Sequence, residues 1–164
     1  MQLRPLFSLL GSPVRHRSRA LAALGLALSA PVLLGAGEVQ PPGHVSATVT
    51  GLRSTKGQVL ACLTRHTDAF PACERDALAH TLIVPARSQV ELDFGMVPAG
   101  TYAIALVHDE NGNSKLDKRL IMPAEGFGFS RNAPVRFGPP GFASAAFAVD
   151  GLEQHQVIRM RYMF

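Results

Sequence analysis

From His44 onward the chain is cut into short apolar runs by Gly, Pro, Asn and Asp, and along most of those runs apolar and polar residues alternate. A side-chain period of two belongs to a strand with one face on a core, and no stretch here sustains the 3.6-residue period of an amphipathic helix. In "HVSATVTGL" Val45, Ala47 and Val49 fall on one face and Ser46, Thr48 and Thr50 on the other. "GQVLACLT" is more continuously apolar and reads as a central strand. "AHTLIVPA" is followed by "VELDFGMV", whose Glu91 and Asp93 should face water, and then by "TYAIALVHD", apolar on both faces and so expected to be buried on both. Short extended pieces are expected at "KRLIM" and "APVRFG", and two more strands at "FASAAFAVDG" and "QHQVIRMRYM". About seven strands at this spacing predict an all-β fold, an antiparallel β-sandwich of the immunoglobulin-like or prealbumin-like kind, with a small barrel as the alternative.

The first 37 residues have a different character. Arg4, Arg15, Arg17 and Arg19 lie there without an acidic residue, followed by "LAALGLALSAPVLLGAG". A basic segment, a short apolar run and small residues at Gly35, Ala36 and Gly37 are the parts of a secretory signal peptide, cleaved near residues 36 to 38, and Pro31 interrupts the run before it reaches the length of a spanning helix. Residues 1–37 are therefore read as the leader, 38–43 as a short linker and 44–164 as one domain, without a transmembrane span, in a protein that is periplasmic or secreted. Four of the sixteen Lys and Arg and none of the twelve Asp and Glu belong to the leader, which leaves twelve of each sign in the rest. The overall basic balance thus belongs to targeting, and no basic stripe with interleaved aromatics remains to suggest nucleic acid as a partner.

Cys62 and Cys73 are the only cysteines. An even pair in an exported chain is most simply a disulfide; the spacing lacks the short gap of a zinc pair or a CxxC redox motif.

The densest polar stretch is "VHDENGNSKLD", residues 107–117. Asp109, Asn111 and Asn113 stand at the first, third and fifth positions of a calcium loop, Lys115 at the seventh, where a backbone carbonyl serves, and Asp117 at the ninth. Ser114 replaces the turn glycine of such a loop and Leu120 its bidentate glutamate, while the strand before it excludes a true EF-hand. Calcium, held structurally and weakly at about 10⁻⁴ to 10⁻³ M, is the cofactor this spacing suggests. The competing reading is an unoccupied hairpin turn, because Asn111-Gly112 is a favoured type I′ dipeptide. Glu125 is either a distant ligand or a loop carboxylate.

The stretch "VHDENGNSKLDKRLIMPAEGFGFSRNA" resembles the core motif of the DUF2141 family of exported bacterial proteins. Asp109, Asn111, Gly112, Asn113, Leu116 and Asp117 match a D-x-N-x-N-G-x-x-D-like loop, and Pro123, Glu125, Gly126, Gly128, Phe129, Ser130 and Asn132 match the segment after it; Ser114 departs from the family's glycine. The resemblance implies a small envelope β-sandwich and supplies no activity.

Phe127 and Phe129 share a parity and suggest either an aromatic platform for a sugar or peptide or two rings plugging the core. His108 with Asp109, Glu110, Asp117 or Glu125 is the raw material of a small hydrolase, but neighbours on a strand point to opposite faces, and His44, His66, His80 and His155 are scattered. No nucleophile-elbow, zincin, P-loop or dinucleotide motif is present. The expectation is a non-catalytic binding or accessory module whose partner is an envelope protein, a peptide or a glycan.

Overall fold

The computed structural model describes residues 40–119 and 122–164. The expected leader, and Leu120 at the twelfth loop position, lie outside the described residues. The alternating segments become strands where the pattern places them: β1 Gly43–Thr50, β2 Gln58–Thr64, β3 His80–Pro85, β4 Val90–Val97 and β5 Gly100–Asp109. The short strands β6 Lys118–Arg119, β7 Met122–Pro123 and β8 Gly126–Phe129 follow, then a 3₁₀ turn Ser130–Asn132, a helical turn α1 Phe142–Ala145, β9 Phe147–Val149 and β10 Gln154–Arg159.

Two sheets carry the fold. One has three strands in the order β10-β1-β4; the other runs β3-β2-β5-β8, with β9 pairing the start of β5 as its fifth strand. The β6–β7 ribbon stands apart. Two separate sheets, rather than a closed cylinder, are the sandwich, and the pairing is antiparallel except between β1 and β10, which run parallel.

The core follows from the period of two. Val45, Ala47 and Val49 of β1 and Val90, Leu92 and Phe94 of β4 face Val59, Ala61 and Leu63 of β2 and Tyr102, Ile104 and Leu106 of β5, joined by Ile158 and Met160. Each such fully buried aliphatic side chain contributes about 1.5–3 kcal/mol relative to exposure. Glu91 and Asp93 face water as their parity requires.

β5 is apolar on both faces because it is covered on both. Behind it Ala103 and Ala105 join Phe127, Phe129, Ala133 and Ala145, with Phe70, Val135 and Phe142 packed against them. This second cluster explains two departures from the sequence reading. "APVRFG" and the first half of "FASAAFAV" are not strands; they form a cover in which Val135 and Phe142 reach down onto the outer face of the sheet, and only Phe147–Val149 continues as β9. The Cys62–Cys73 disulfide forms, and the loop it closes lays Phe70 edge-on to Phe129, ring centroids 5.8 Å apart.

Candidate functional site

The loop from Asp109 to Asp117 leaves the end of β5 and is wound around one carboxylate. Asp109 is fully buried. Its Oδ1 accepts the backbone N–H groups of Gly112 (2.8 Å) and Asn113 (3.1 Å), and its Oδ2 accepts Ser114 N–H (2.7 Å) and the Gln58 amide (2.9 Å). Burial is the largest influence and pushes this carboxyl up, but the Gln58 amide and the three N–H groups together hold it below the usual aspartate range.

The backbone is not that of a two-residue hairpin. A type I′ turn needs positive φ at both central residues; here Gly112 has φ +73°, but the other positive value in the loop belongs to Ser114, at φ +60°. The turn reading of Asn111-Gly112 therefore gives way to a longer wound loop. Ser114 adopts the conformation for which calcium loops use glycine at the sixth position.

Asn111 and Asn113 continue the winding. Asn111 Oδ1 accepts Asn113 N–H and Asn113 Oδ1 accepts Lys115 N–H, while both amide nitrogens donate to Asp117 Oδ2, at 2.6 and 2.9 Å. Glu125 lies beneath the loop, buried, with Oε1 accepting Glu110 N–H and Oε2 accepting Asp117 N–H. Burial raises the Glu125 carboxyl above its ordinary range, and the nearby charges of Asp109 and Asp117 add to that rise against the two N–H bonds.

Among the described residues no three His, Cys, Asp or Glu side chains are grouped so as to hold a metal by themselves. The loop offers a different donor set, in which the side-chain oxygens of Asp109 and Asp117 are joined by amide oxygens of Asn111 and Asn113 and the carbonyl of Lys115. Each amide oxygen uses one lone pair on a backbone N–H and keeps a second. An all-oxygen set of this kind fits calcium and does not fit zinc or copper.

His108 points to the other side of β5. It is fully buried, with Nε2 against the Lys56 carbonyl (2.9 Å) and Nδ1 against the Tyr162 hydroxyl (2.7 Å). A carbonyl can only accept, so Nε2 donates to it, while the Tyr162 hydroxyl shares a hydrogen bond with Nδ1 and accepts Arg53 N–H. Tyr162 lies over Gly126, where a Cβ would sit 2.4 Å from the ring, and under the Arg53 guanidinium, 4.5 Å from the ring centroid. That guanidinium pairs with Glu110, which also accepts the Ser54 hydroxyl, and the Arg53 bond is the main cause holding the Glu110 carboxyl below its ordinary range.

The structure thus brings Asp109, Asn111, Asn113, Lys115 and Asp117 into one loop and adds Glu125 to it, while His108 is directed away. Phe127 and Phe129 are 5% and 7% exposed and packed among Phe70, Ala103 and Ala105, so the rings plug the second cluster rather than presenting a platform. Arg53, Ser54, Gln58 and Tyr162 went unmarked in the sequence; none belongs to a motif, and only β2–β5 pairing and the return of the C-terminal segment bring them here.

Fold and loop define a class: a two-sheet β-sandwich with an Asx-rich loop wound at the end of its central strand. The chain belongs to the DUF2141 family, described as an uncharacterized protein conserved in bacteria, whose family model matches residues 47–157. No curated protein and no solved structure matches the chain.

Proposed function

We propose that this protein is a non-catalytic binding or accessory module of the cell envelope whose loop Asp109–Asp117 holds a structural calcium ion. The observation that carries this reading is the winding of the loop around Asp109, with Ser114 in the left-handed conformation at the sixth position. Asp109, Asn111, Asn113 and Asp117 would hold the ion through side-chain oxygens and Lys115 through its carbonyl, with Glu125 as the neighbouring carboxylate at the base. The ion would supply charge neutralisation: three carboxylates, Asp109, Asp117 and Glu125, lie in and under this loop, and one divalent cation offsets their mutual repulsion. Export, expected from residues 1–37, would bring the loop to a compartment where calcium is available at the concentrations a weak site needs.

The same geometry favours the module over a hydrolase. A general base must reach a substrate proton, and the His108 ring nitrogens are both engaged inside the protein.

Calorimetric titration of the purified protein with calcium, beside a screen of chromogenic ester, glycoside and peptide substrates, tests the reading. Calcium binding without turnover is expected. Turnover abolished by His108→Gln in a folded protein would overturn the non-catalytic assignment, and absence of heat with calcium would overturn the metal.

A further inference from the structure

An unpaired strand edge exposes backbone N–H and C=O groups to any extended chain, and folds usually cover, charge or bend such edges. Three of the four long edges of this sandwich are managed in that way. The free edge of β10 is capped by the Asn132 amide, which donates to Val157 O and accepts Arg159 N–H. β8 is bridged by Arg161, which exchanges both backbone bonds with Phe127. β4 carries exposed Glu91 and Asp93 and is bent by a register shift opposite Val45 and Ser46, where Gly95 takes φ +75°.

β3 is not covered, charged or bent, and carries only Pro85 at its end. It ends the order β3-β2-β5-β8, no described residue pairs with its outer side, and "HTLIVPA" contains no Asp, Glu, Lys or Arg. Ile83, at its middle, is 63% exposed, and Leu82 and Val84 are only partly covered by the core they pack against.

The direction of its free groups can be read from its pairing. Ala86 N–H donates to Gly57 O on the β2 side, so the even-numbered residues bond inward and the N–H and C=O groups of Thr81 and Ile83, with the C=O of Pro85, point outward. Pro85 sits where a missing N–H costs no ladder bond, as proline does on an edge strand.

We propose that β3 is a self-association edge, pairing antiparallel with β3 of a second copy about a twofold axis through Ile83. Three features of the strand select a second copy as the occupant. Twofold pairing sets residues against their own kind, which a charged strand resists and this uncharged one permits. Centring on Ile83 lets the two Ile83 residues exchange both backbone bonds, and each Thr81 N–H then meets the partner's Pro85 carbonyl, while the Thr81 carbonyl, opposite the partner's proline nitrogen, stays open to water at the end of the ladder. On the inner face Leu82 falls opposite the partner's Val84, adding cover to two side chains that the monomer leaves only partly buried. The result is a sheet continuous across the dimer, with five strands from each copy.

One short strand pair buries less than the roughly 1,200 Å² of a stable complex, so the dimer is weak and is sought by sedimentation velocity across a dilution series from roughly millimolar to micromolar protein. A monomer–dimer equilibrium is expected. Ile83→Lys, at an exposed position that leaves the fold intact, should raise the dissociation constant by roughly tenfold or more. Hydrogen-bonded cross-strand pairs stand about 5.5 Å apart at Cα, within disulfide reach, so Ile83→Cys should cross-link under oxidation and Val157→Cys, exposed on the other sheet, should not. A wild type monomeric throughout the series, a dimer indifferent to Ile83→Lys, or equal cross-linking at both cysteine positions overturns the proposal.

Discussion

Ser114 holds a left-handed backbone, φ +60°, and from it donates its N–H to Asp109 Oδ2 at 2.7 Å, so the strain at one residue secures the buried charge at the other. Left-handed φ costs an ordinary residue about 1–2 kcal/mol, more for a β-branched one. Ser114→Gly should therefore be tolerated or mildly stabilising, and Ser114→Val should cost about 1–2 kcal/mol in chemical denaturation. Equal stability of the two variants would contradict the claim that this conformation is imposed by the loop.

Glu125 fastens both ends of the loop, accepting Glu110 N–H and Asp117 N–H on separate oxygens. Glu125→Gln keeps one acceptor and turns the other into a donor facing an N–H, a buried mismatch worth about 1–3 kcal/mol. The variant should be destabilised by that amount in chelator. Urea midpoints unchanged from wild type would show that the fastening contributes nothing.

Asp76 gives the pH dependence. The Thr64 hydroxyl donates to it at 2.5 Å, Leu78 N–H donates as well, and Thr64, named first among the causes, draws its carboxyl below the ordinary value near 3.8. A carboxyl depressed in the folded state binds fewer protons than in the unfolded chain, so its stabilisation is present above pH 3.8 and fades as pH falls through the lower folded value. Asp76→Asn should be less stable than wild type near neutrality, with the gap closing below that pH; a gap constant with pH would contradict this origin.

Reducing Cys62–Cys73 releases a loop spanning eleven positions and frees Phe70 from Phe129. Loop-closure entropy for a chain this short amounts to about 2–3 kcal/mol. Denaturation with and without reductant should show a loss of that size; no difference would mean that the loop is held by packing alone.

Most of the sandwich was legible because alternation is a local signal. Val45, Ala47 and Val49 fall on the core face for the same reason that Ser46 and Thr48 do not. The second apolar cluster was less legible: β5 announces two buried faces, but which segment covers the outer one depends on Phe70, Val135 and Phe142 arriving from loops, and loops carry no period. The parallel β1–β10 pair is likewise a matter of connection, not of pattern. At the site, the oxygen spacing from Asp109 to Asp117 could be read directly, whereas Gln58 and Glu125 reach Asp109 and the loop backbone from elsewhere in the chain.

The calcium assignment is the centre of the account, and thermal unfolding in calcium against chelator tests it most directly. Ligand at a hundredfold excess over its dissociation constant stabilises by about 2.7 kcal/mol, which for a domain of this size raises the melting temperature by several degrees. The wild type should show that rise and Asp117→Ala, which leaves the hydrogen bonds of Asp109 in place, should lose most of it. No rise in the wild type, or an equal rise in Asp117→Ala, would contradict the loop's role.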